Sequence, residues 1–145
     1  MDRTLSRRRA TEADIPFLLA LRQATMDAHL AASGIAIDDA SRRMRVMDAF
    51  DCAELLLADD VPMGLLKLRR SPHEWEIAQI QLAPALQGRG IGRSLLLEVL
   101  ADAARAGASV RLSVLKANPA KRLYEELGFE VFGEDAHEFH MRIGA

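Results

Sequence analysis

The stretch that decides the fold is residues 82–94, which reads LAPALQGRGIGRS. It joins an apolar run typical of a β-strand to an amphipathic run typical of a helix. Gly88, Gly90 and Gly92 lack a Cβ, so the backbone there can approach a ligand closely and adopt positive φ. The first N–H groups of a helix have no helical partner and lie at the positive end of its dipole. The stretch therefore predicts a strand–loop–helix unit that binds a phosphate or pyrophosphate.

Two common phosphate motifs do not fit this loop. A P-loop requires G-x-x-x-x-G-K-[ST], and no lysine follows these glycines. A dinucleotide fingerprint requires G-x-G-x-x-G, and Arg93 stands where the third glycine would be. The alternative that the glycines only form a tight turn from strand to helix stays open at this point.

Hydrophobic periodicity predicts one α/β domain over residues 1–145, built on a mixed sheet with helices on both faces. The predicted strands are 4–9, 53–58, 63–68, 74–82, 110–115, 129–132 and 138–143. The predicted helices are 11–34, 39–50, 92–106 and a short one that Asn118-Pro119 caps and Gly128 closes. A capping box of Thr11 and Asp14 marks the start of the first helix.

Composition narrows the class of protein. Nineteen basic residues stand against 21 acidic ones, for a net charge of −2, so the chain lacks the basic excess of nucleic-acid binders. The one cysteine, Cys52, cannot form an internal disulfide, and no Cys/His cluster has zinc spacing. The sequence has neither a signal-peptide pattern nor an apolar run long enough to cross a bilayer. We therefore expect a cytoplasmic protein without metal, nucleic-acid or membrane partners.

Two separate motifs resemble those of the GNAT superfamily of N-acetyltransferases. Gln87, Gly90 and Gly92 match Q/R-x-x-G-x-G/A, its acetyl-CoA-binding motif. Residues 118–129, NPAKRLYEELGF, resemble its second signature, and residues 8–14, RRATEAD, resemble its usual opening. The resemblance covers about residues 3 to 143 of the chain.

The resemblance implies a GNAT-like fold with a mostly antiparallel sheet, acetyl-CoA as cosubstrate and no metal. The loop amides would hold the CoA pyrophosphate. The preceding strand end would pair with the pantetheine arm as an added strand, at a place where the sheet must splay. The cofactor-binding residues that it implies are Ile80, Gln81, Leu82, Gln87, Gly88, Arg89, Gly90, Ile91, Gly92, Arg93, Asn118 and Tyr124.

The resemblance also implies two proton-transfer roles. Tyr124, the only tyrosine, would be the acid that protonates the leaving CoA thiolate; the alternative is an aromatic packed in the core. Glu76 would accept the proton of the attacking amine. Its alternatives are an ordered water as the base and a surface glutamate without a role.

The acceptor is expected to be a primary amine of a small molecule or peptide. Met26, His29 and His140 are the candidate acceptor-site residues, with a hydrogen-bonded structural histidine as the alternative for His29. A catalytically silent domain that senses acyl-CoA is the alternative function. The choice between a monomer and a homodimer stays open.

Overall fold

A computed structural model describes residues 5–144 of the chain. It contains seven strands and four α-helices. In chain order they are β1 (Ser6–Arg9), α1 (Ile15–Ala32), α2 (Asp39–Met47), β2 (Ala53–Ala58), β3 (Val61–Arg70), β4 (Glu74–Leu82), α3 (Ile91–Arg105), β5 (Ser109–Leu115), α4 (Lys121–Glu126), β6 (Glu130–Glu134) and β7 (Glu138–Ile143). Single 3₁₀ turns occupy Glu12–Asp14, Phe50–Cys52 and Pro84–Leu86.

The strands form one sheet in the order β1-β2-β3-β4-β5-β7-β6. All neighbouring strands are antiparallel except β4 and β5, which are parallel. The parallel ladder runs from Glu74 opposite Ser109 to Ile77 opposite Leu112, and both strands then continue without pairing to each other. This arrangement confirms the predicted mixed, mostly antiparallel sheet and the predicted splay within it.

A β-bulge in β4 lies just beyond the last parallel pair. Lys67 of β3 is opposite Gln79, whereas the next residue, Leu68, is opposite Ile77, so Ala78 is the extra residue. A bulge bends its strand and increases the local twist. The bulge therefore accompanies the divergence of β4 from β5.

Apolar side chains cover both faces of the sheet because alternate strand residues point to opposite faces. On one face, α3 packs Leu96 and Val99 against Leu66 and Leu112. On the other face, Leu18 and Leu21 of α1 and Val46 of α2 form a cluster with Leu55 of β2 and Leu65 of β3. The sheet thus lies between two layers of helices.

Several predicted boundaries shift by a few residues. The Thr11–Asp14 capping box is present, but it starts the 3₁₀ turn Glu12–Asp14, and α1 begins only at Ile15. Helix α2 ends at Met47 rather than Phe50, because Ala49 adopts a left-handed φ of 55°. The buried ammonium of Lys67 also donates to the carbonyl oxygen of Val46 at 2.8 Å there. Thr4, the predicted start of β1, lies outside the described residues.

Candidate active site

The glycine loop leaves the start of α3 open. Gly90 is the N-cap of α3, with φ 75°, and no side chain caps the helix there. A Cβ built on Gly88 or Gly90 would meet no described atom within 4 Å. The Nε2 of Gln87 donates to the carbonyl oxygen of Leu82 at 2.9 Å, which ties the loop back to β4. The unpaired N–H groups of the first helical turn therefore face open space, as an anion site requires.

Arg89 and Arg93 add positive charge beside the loop. Arg89 is exposed. The guanidinium of Arg93 forms an ion pair with Glu126 of α4, while its backbone N–H lies in the first turn of α3. The side chain of Arg93 thus links α3 to α4, and its backbone N–H remains part of the open helix start.

A cleft of about 450 Å³, here called the loop cleft, lies in front of this helix start. It runs from the end of β4, past the loop, to the start of α4. Among the residues predicted to bind the cofactor, all except Arg89 line it: Ile80, Gln81, Leu82, Gln87, Gly88, Gly90, Ile91, Gly92, Arg93, Asn118 and Tyr124.

A second cavity of about 590 Å³, the inner cavity, occupies the gap between the diverging ends of β4 and β5. Helix α1, the end of α2 and the β6–β7 turn enclose it. Five residues line both the inner cavity and the loop cleft: Met26, Ile80, Gln81, Asn118 and Tyr124. Ligands in the two spaces would therefore meet at the side chain of Tyr124.

Tyr124 is packed in the core and also lines both cavities. Its ring packs edge-to-face on Phe129, with centroids 5.9 Å apart, and only 8% of the residue is exposed. Burial raises the pKa of its phenol to about 12, so the hydroxyl stays protonated throughout the neutral range. Tyr124 is thus a core aromatic that also presents a hydrogen-bond donor to both cavities.

Asn118 also lies at the junction of the cavities, but it is not the helix cap that the sequence predicts. Its Oδ1 accepts a hydrogen bond from the N–H of Ala120 at 2.9 Å. Ala120 is the N-cap, and α4 begins at Lys121. Asn118 therefore shapes the turn before α4 rather than capping the helix itself.

Glu76 lies away from both cavities. Its carboxylate forms ion pairs with Arg69 at 2.9 Å and with Arg111 at 3.3 Å. Neither the loop cleft nor the inner cavity includes it among its lining residues. These surroundings do not favour the prediction that Glu76 is the base, and ordered water is the alternative that the sequence left open.

The three predicted acceptor-site residues separate in the structure. Met26 lines both cavities, whereas His29 lines only the loop cleft. His140 lines neither cavity; its ring nitrogens contact Ser113 at 2.7 Å and Asp135 at 3.2 Å. The position of His140 follows from the β5–β7 register, which sets it opposite Ser113.

Two polar side chains of the inner cavity, those of Arg22 and Gln79, were not predicted from the sequence, and Gln81 was predicted only as a cofactor-binding residue. Arg22 is only 4% exposed, and its Nε has no hydrogen-bond partner among residues 5–144. The Oε1 atoms of Gln79 and Gln81 are also buried without a partner within that range. The sequence signal that could have identified Arg22 is the charge of this residue at a position on the apolar stripe of α1.

Other chemistries find little support in the described residues. The Sγ of Cys52 donates to the carbonyl oxygen of Ala49, and burial raises the pKa of this thiol, which disfavours a nucleophilic thiolate. Within residues 5–144, no three His, Cys, Asp or Glu side chains are grouped so that they could hold a metal ion. None of the helices described there is long and apolar enough to span a bilayer.

Known proteins share both this sequence pattern and this fold. The sequence model of the acetyltransferase (GNAT) family matches residues 19–129. The chain is 47% identical over 72 residues to the N-alpha-acetyltransferase RimI of Mycobacterium tuberculosis, an alignment that covers 48% of this chain. That alignment covers 44% of the RimI chain, so the match spans less than half of this relative.

Solved structures match over nearly the whole chain. The PaiA N-acetyltransferase of Thermoplasma acidophilum, in complex with coenzyme A, superposes with a TM-score of 0.75 at 18% identity, over 98% of this chain and 99% of that one. An acetyltransferase of Thermus thermophilus gives 0.76 at 21% identity, over 97% and 96%. Naa50 of Arabidopsis thaliana, in complex with the bisubstrate analogue CoA-Ac-MVNAL, gives 0.70 at 17% identity, over 97% and 99%.

The chain therefore belongs to the acetyltransferase (GNAT) family. This membership confirms the predicted family and fold class. The predicted class of enzyme, an acetyl-CoA-dependent N-acetyltransferase, is that of this family.

Proposed function

We propose that this chain transfers the acetyl group of acetyl-CoA directly to the N-terminal α-amine of a peptide or protein in the cytoplasm. The observation that carries the proposal is the junction at Tyr124, where the loop cleft opens into the inner cavity. One space has the features of a diphosphate site, and the other is large enough for the first residues of a peptide. The similarity to an N-alpha-acetyltransferase and to a structure with a bound CoA–peptide analogue supports the peptide acceptor.

Acetyl-CoA is assigned to the loop cleft. Its diphosphate accepts hydrogen bonds from the N–H groups at the start of α3, around Gly90 and Gly92. Its pantetheine arm pairs with the free edge of β4 beyond Ile77, as an additional strand would. This placement directs the thioester towards Tyr124.

The reaction is a single displacement through a tetrahedral intermediate. The neutral amine attacks the thioester carbonyl, a C–N bond forms, the C–S bond breaks, and the nitrogen loses one proton to water. The hydroxyl of Tyr124 donates a hydrogen bond to the departing sulfur. Because a phenol with a pKa of about 12 is a weaker acid than a thiol with a pKa of about 8.5, that bond stabilises the thiolate rather than neutralising it fully.

An α-amine fits this site better than a lysine or a polyamine. The α-amino group has a pKa of about 8, so roughly one molecule in ten is already neutral near pH 7; for a lysine side chain the fraction is several hundred-fold smaller. An α-amine therefore needs no strong base, which agrees with the position of Glu76 outside the cavities. Asp48, Asp135 and Glu138 line the inner cavity and attract a cationic amine.

A panel of acceptors tests the proposal. Acetyl-CoA consumption is measured with peptides that have a free N-terminus, the same peptides with a blocked N-terminus and one lysine, polyamines and aminoglycosides. We expect acetylation of the free N-termini and none of the blocked peptides, with mass spectrometry placing the acetyl group on the α-nitrogen. Acetylation confined to lysine or polyamine nitrogens contradicts the α-amine, and tight CoA binding without turnover on any amine indicates the acyl-CoA sensor instead.

A further inference from the structure

Arg22 is a buried cation on α1 that lines the inner cavity and is only 4% exposed. Its Nε is buried without a hydrogen-bond partner among residues 5–144. Burial lowers its pKa to about 10, a sign that its charge is poorly solvated. Burying an unpaired guanidinium costs free energy, so the position calls for a ligand that accepts hydrogen bonds.

The neighbouring charges do not neutralise Arg22. Asp27 attracts it, but the carboxylate of Asp27 is already bound by Arg42, at 2.6 and 3.1 Å. Arg45 repels it from the end of α2, and the buried ammonium of Lys67 is close enough for the charge of Arg22 to lower the pKa of Lys67 further. The three cations here, Arg22, Arg45 and Lys67, outnumber the one cavity-lining carboxylate beside them, that of Asp48, which lies 3.8 Å from Arg69. This side of the inner cavity is therefore positive.

The same cavity also holds acceptors for a cation. The buried Oε1 atoms of Gln79 and Gln81 have no partner in the described residues, and both side chains line the cavity. The Nε2 of Gln79 donates to the carbonyl oxygen of Arg45 at 2.9 Å, which orients its Oε1. The unpaired acceptors on β4 and the unpaired Nε–H of Arg22 on α1 suit a ligand that carries both an amine and an anion.

We propose that Arg22 binds a carboxylate that lies close to the acetylated amine. Its source is either the side chain of an N-terminal Asp or Glu of a peptide, or the α-carboxylate of a free amino acid. The planar guanidinium can bind a carboxylate with two parallel hydrogen bonds. The peptide source rests on the proposed function, whereas the carboxylate requirement does not.

The distance along α1 fits this assignment. Met26 lies one turn after Arg22 and lines the junction of the two cavities. Side chains at this spacing on a helix are about 5–6 Å apart at Cβ. A carboxylate a few bonds from an amine at the junction therefore falls within reach of the Arg22 side chain.

Paired substrates test the proposal on the unmodified enzyme. Peptides that begin with Asp or Glu are compared with otherwise identical peptides that begin with Asn or Gln, and free amino acids with their amides. We expect kcat/KM to be about tenfold or more higher for the member of each accepted pair that carries the carboxylate, since hydrogen bonds between charged groups are the strong ones. Equal values, or a preference for the amide, overturn the proposal.

Variants then locate the effect. Arg22→Met should bring the ratio of Asp to Asn peptides close to one, and Arg22→Lys should keep part of the preference. Arg43→Met is the matched control, because Arg43 is exposed on α2 and lines neither cavity. Calorimetric CoA binding shows that each variant is folded; if Arg22→Met still binds CoA and keeps the full preference, Arg22 is not the carboxylate site.

The outcomes separate this inference from the proposed function. Equal acetylation of acidic and neutral N-termini removes the role of Arg22 and leaves the peptide acceptor in place. Acetylation of free amino acids but of no peptide removes the peptide acceptor and keeps the carboxylate requirement. Acetylation of neither class contradicts both.

Discussion

Ile77 and Leu112 form the last pair of the parallel ladder between β4 and β5, and beyond them the two strands diverge around the inner cavity. On its other side, β4 stays paired with β3 as far as Leu82 opposite Gly64. One edge of residues 78–82 is thus fixed in the sheet, and the other edge is free. A strand with one free edge can accept an extended ligand by main-chain hydrogen bonding.

Binding of CoA should therefore protect this free edge. We expect amide hydrogen exchange in residues 78–82 to slow when CoA is added, together with exchange at the start of α3. Strand β2 is the internal control, because it pairs with β1 and β3 on both edges and should not change. Protection elsewhere, with residues 78–82 unaffected, would place the pantetheine arm outside the gap.

Gly90 provides a test of the diphosphate site by charge alone. Gly90→Asp and Gly90→Asn add side chains of nearly equal size, and both residues tolerate the left-handed φ of 75° better than most. We expect the Asp variant to bind CoA at least about tenfold more weakly than the Asn variant, because its carboxylate faces the diphosphate. Calorimetry gives the affinities, and equal melting temperatures show that the two folds are equally stable.

The charge assignment fails if the two variants bind CoA equally well. In that case the loop would affect binding only through its shape. Repeating the comparison at high salt tests whether the effect is electrostatic, because screening should reduce the difference in CoA affinity between the Asp and Asn variants.

The sequence predicted the loop and the order of elements because both depend on local features. Glycine spacing and strand or helix periodicity act within a few residues, so Gly88, Gly90 and the amphipathic stripe of α3 carry the information directly. The resemblance to the family implied a set of cofactor-binding residues, and nearly all of them line one cleft in the structure.

The acceptor side could not be predicted in the same way, because it depends on contacts between distant segments. The partners of Glu76 are Arg69 and Arg111, on the two strands that flank β4, and only the strand register reveals them. The bulge at Ala78 has no local sequence signal and changes which side chains face the inner cavity. Arg22 stands on the apolar stripe of α1 in the sequence, but only the packing shows that it is buried and that its Nε has no partner among residues 5–144.

Replacement of Tyr124 by Phe should lower turnover without loss of structure. The ring keeps its edge-to-face contact with Phe129, and only the hydroxyl is removed. We expect kcat to fall by about 100-fold, a typical effect of losing one hydrogen bond to developing negative charge, while the affinity for CoA changes little. Steady-state kinetics and calorimetry measure the two quantities; an equal loss of kcat and of CoA affinity would indicate a structural role.

The pH profile gives an independent check on Tyr124. The amine must be neutral, so activity should rise with pH up to the pKa of the acceptor, about 8 for an α-amine. The phenol must be protonated, and with its pKa at about 12 it loses its proton only well above the alkaline range in which the enzyme is assayed. We therefore expect a plateau at alkaline pH, and a decline that begins near neutral pH would contradict this assignment.

Asp14 should make the free energy of unfolding depend on pH in acid. Its carboxylate accepts two hydrogen bonds from Arg8, at 2.8 and 2.9 Å, and one from the N–H of Thr11 at 2.8 Å. These contacts, chiefly the one with Arg8, lower the pKa of Asp14 from 3.8 to about 2. A lowered carboxyl pKa stabilises the folded state above the unfolded value, and this stabilisation is lost as the pH falls through the folded value.

The variant Asp14→Asn isolates this contribution. We expect it to lose roughly 1–2 kcal/mol at neutral pH, a value that allows for screening of the half-exposed Arg8 and includes the loss of the capping box. The difference from the unmodified protein should shrink between about pH 4 and about pH 2, where Asp14 itself becomes protonated. Urea unfolding over that range measures it, with Asp39→Asn as the control because the carboxylate of Asp39 is fully exposed. A difference that stays constant with pH would mean that Asp14 acts through its shape in the turn rather than through its charge.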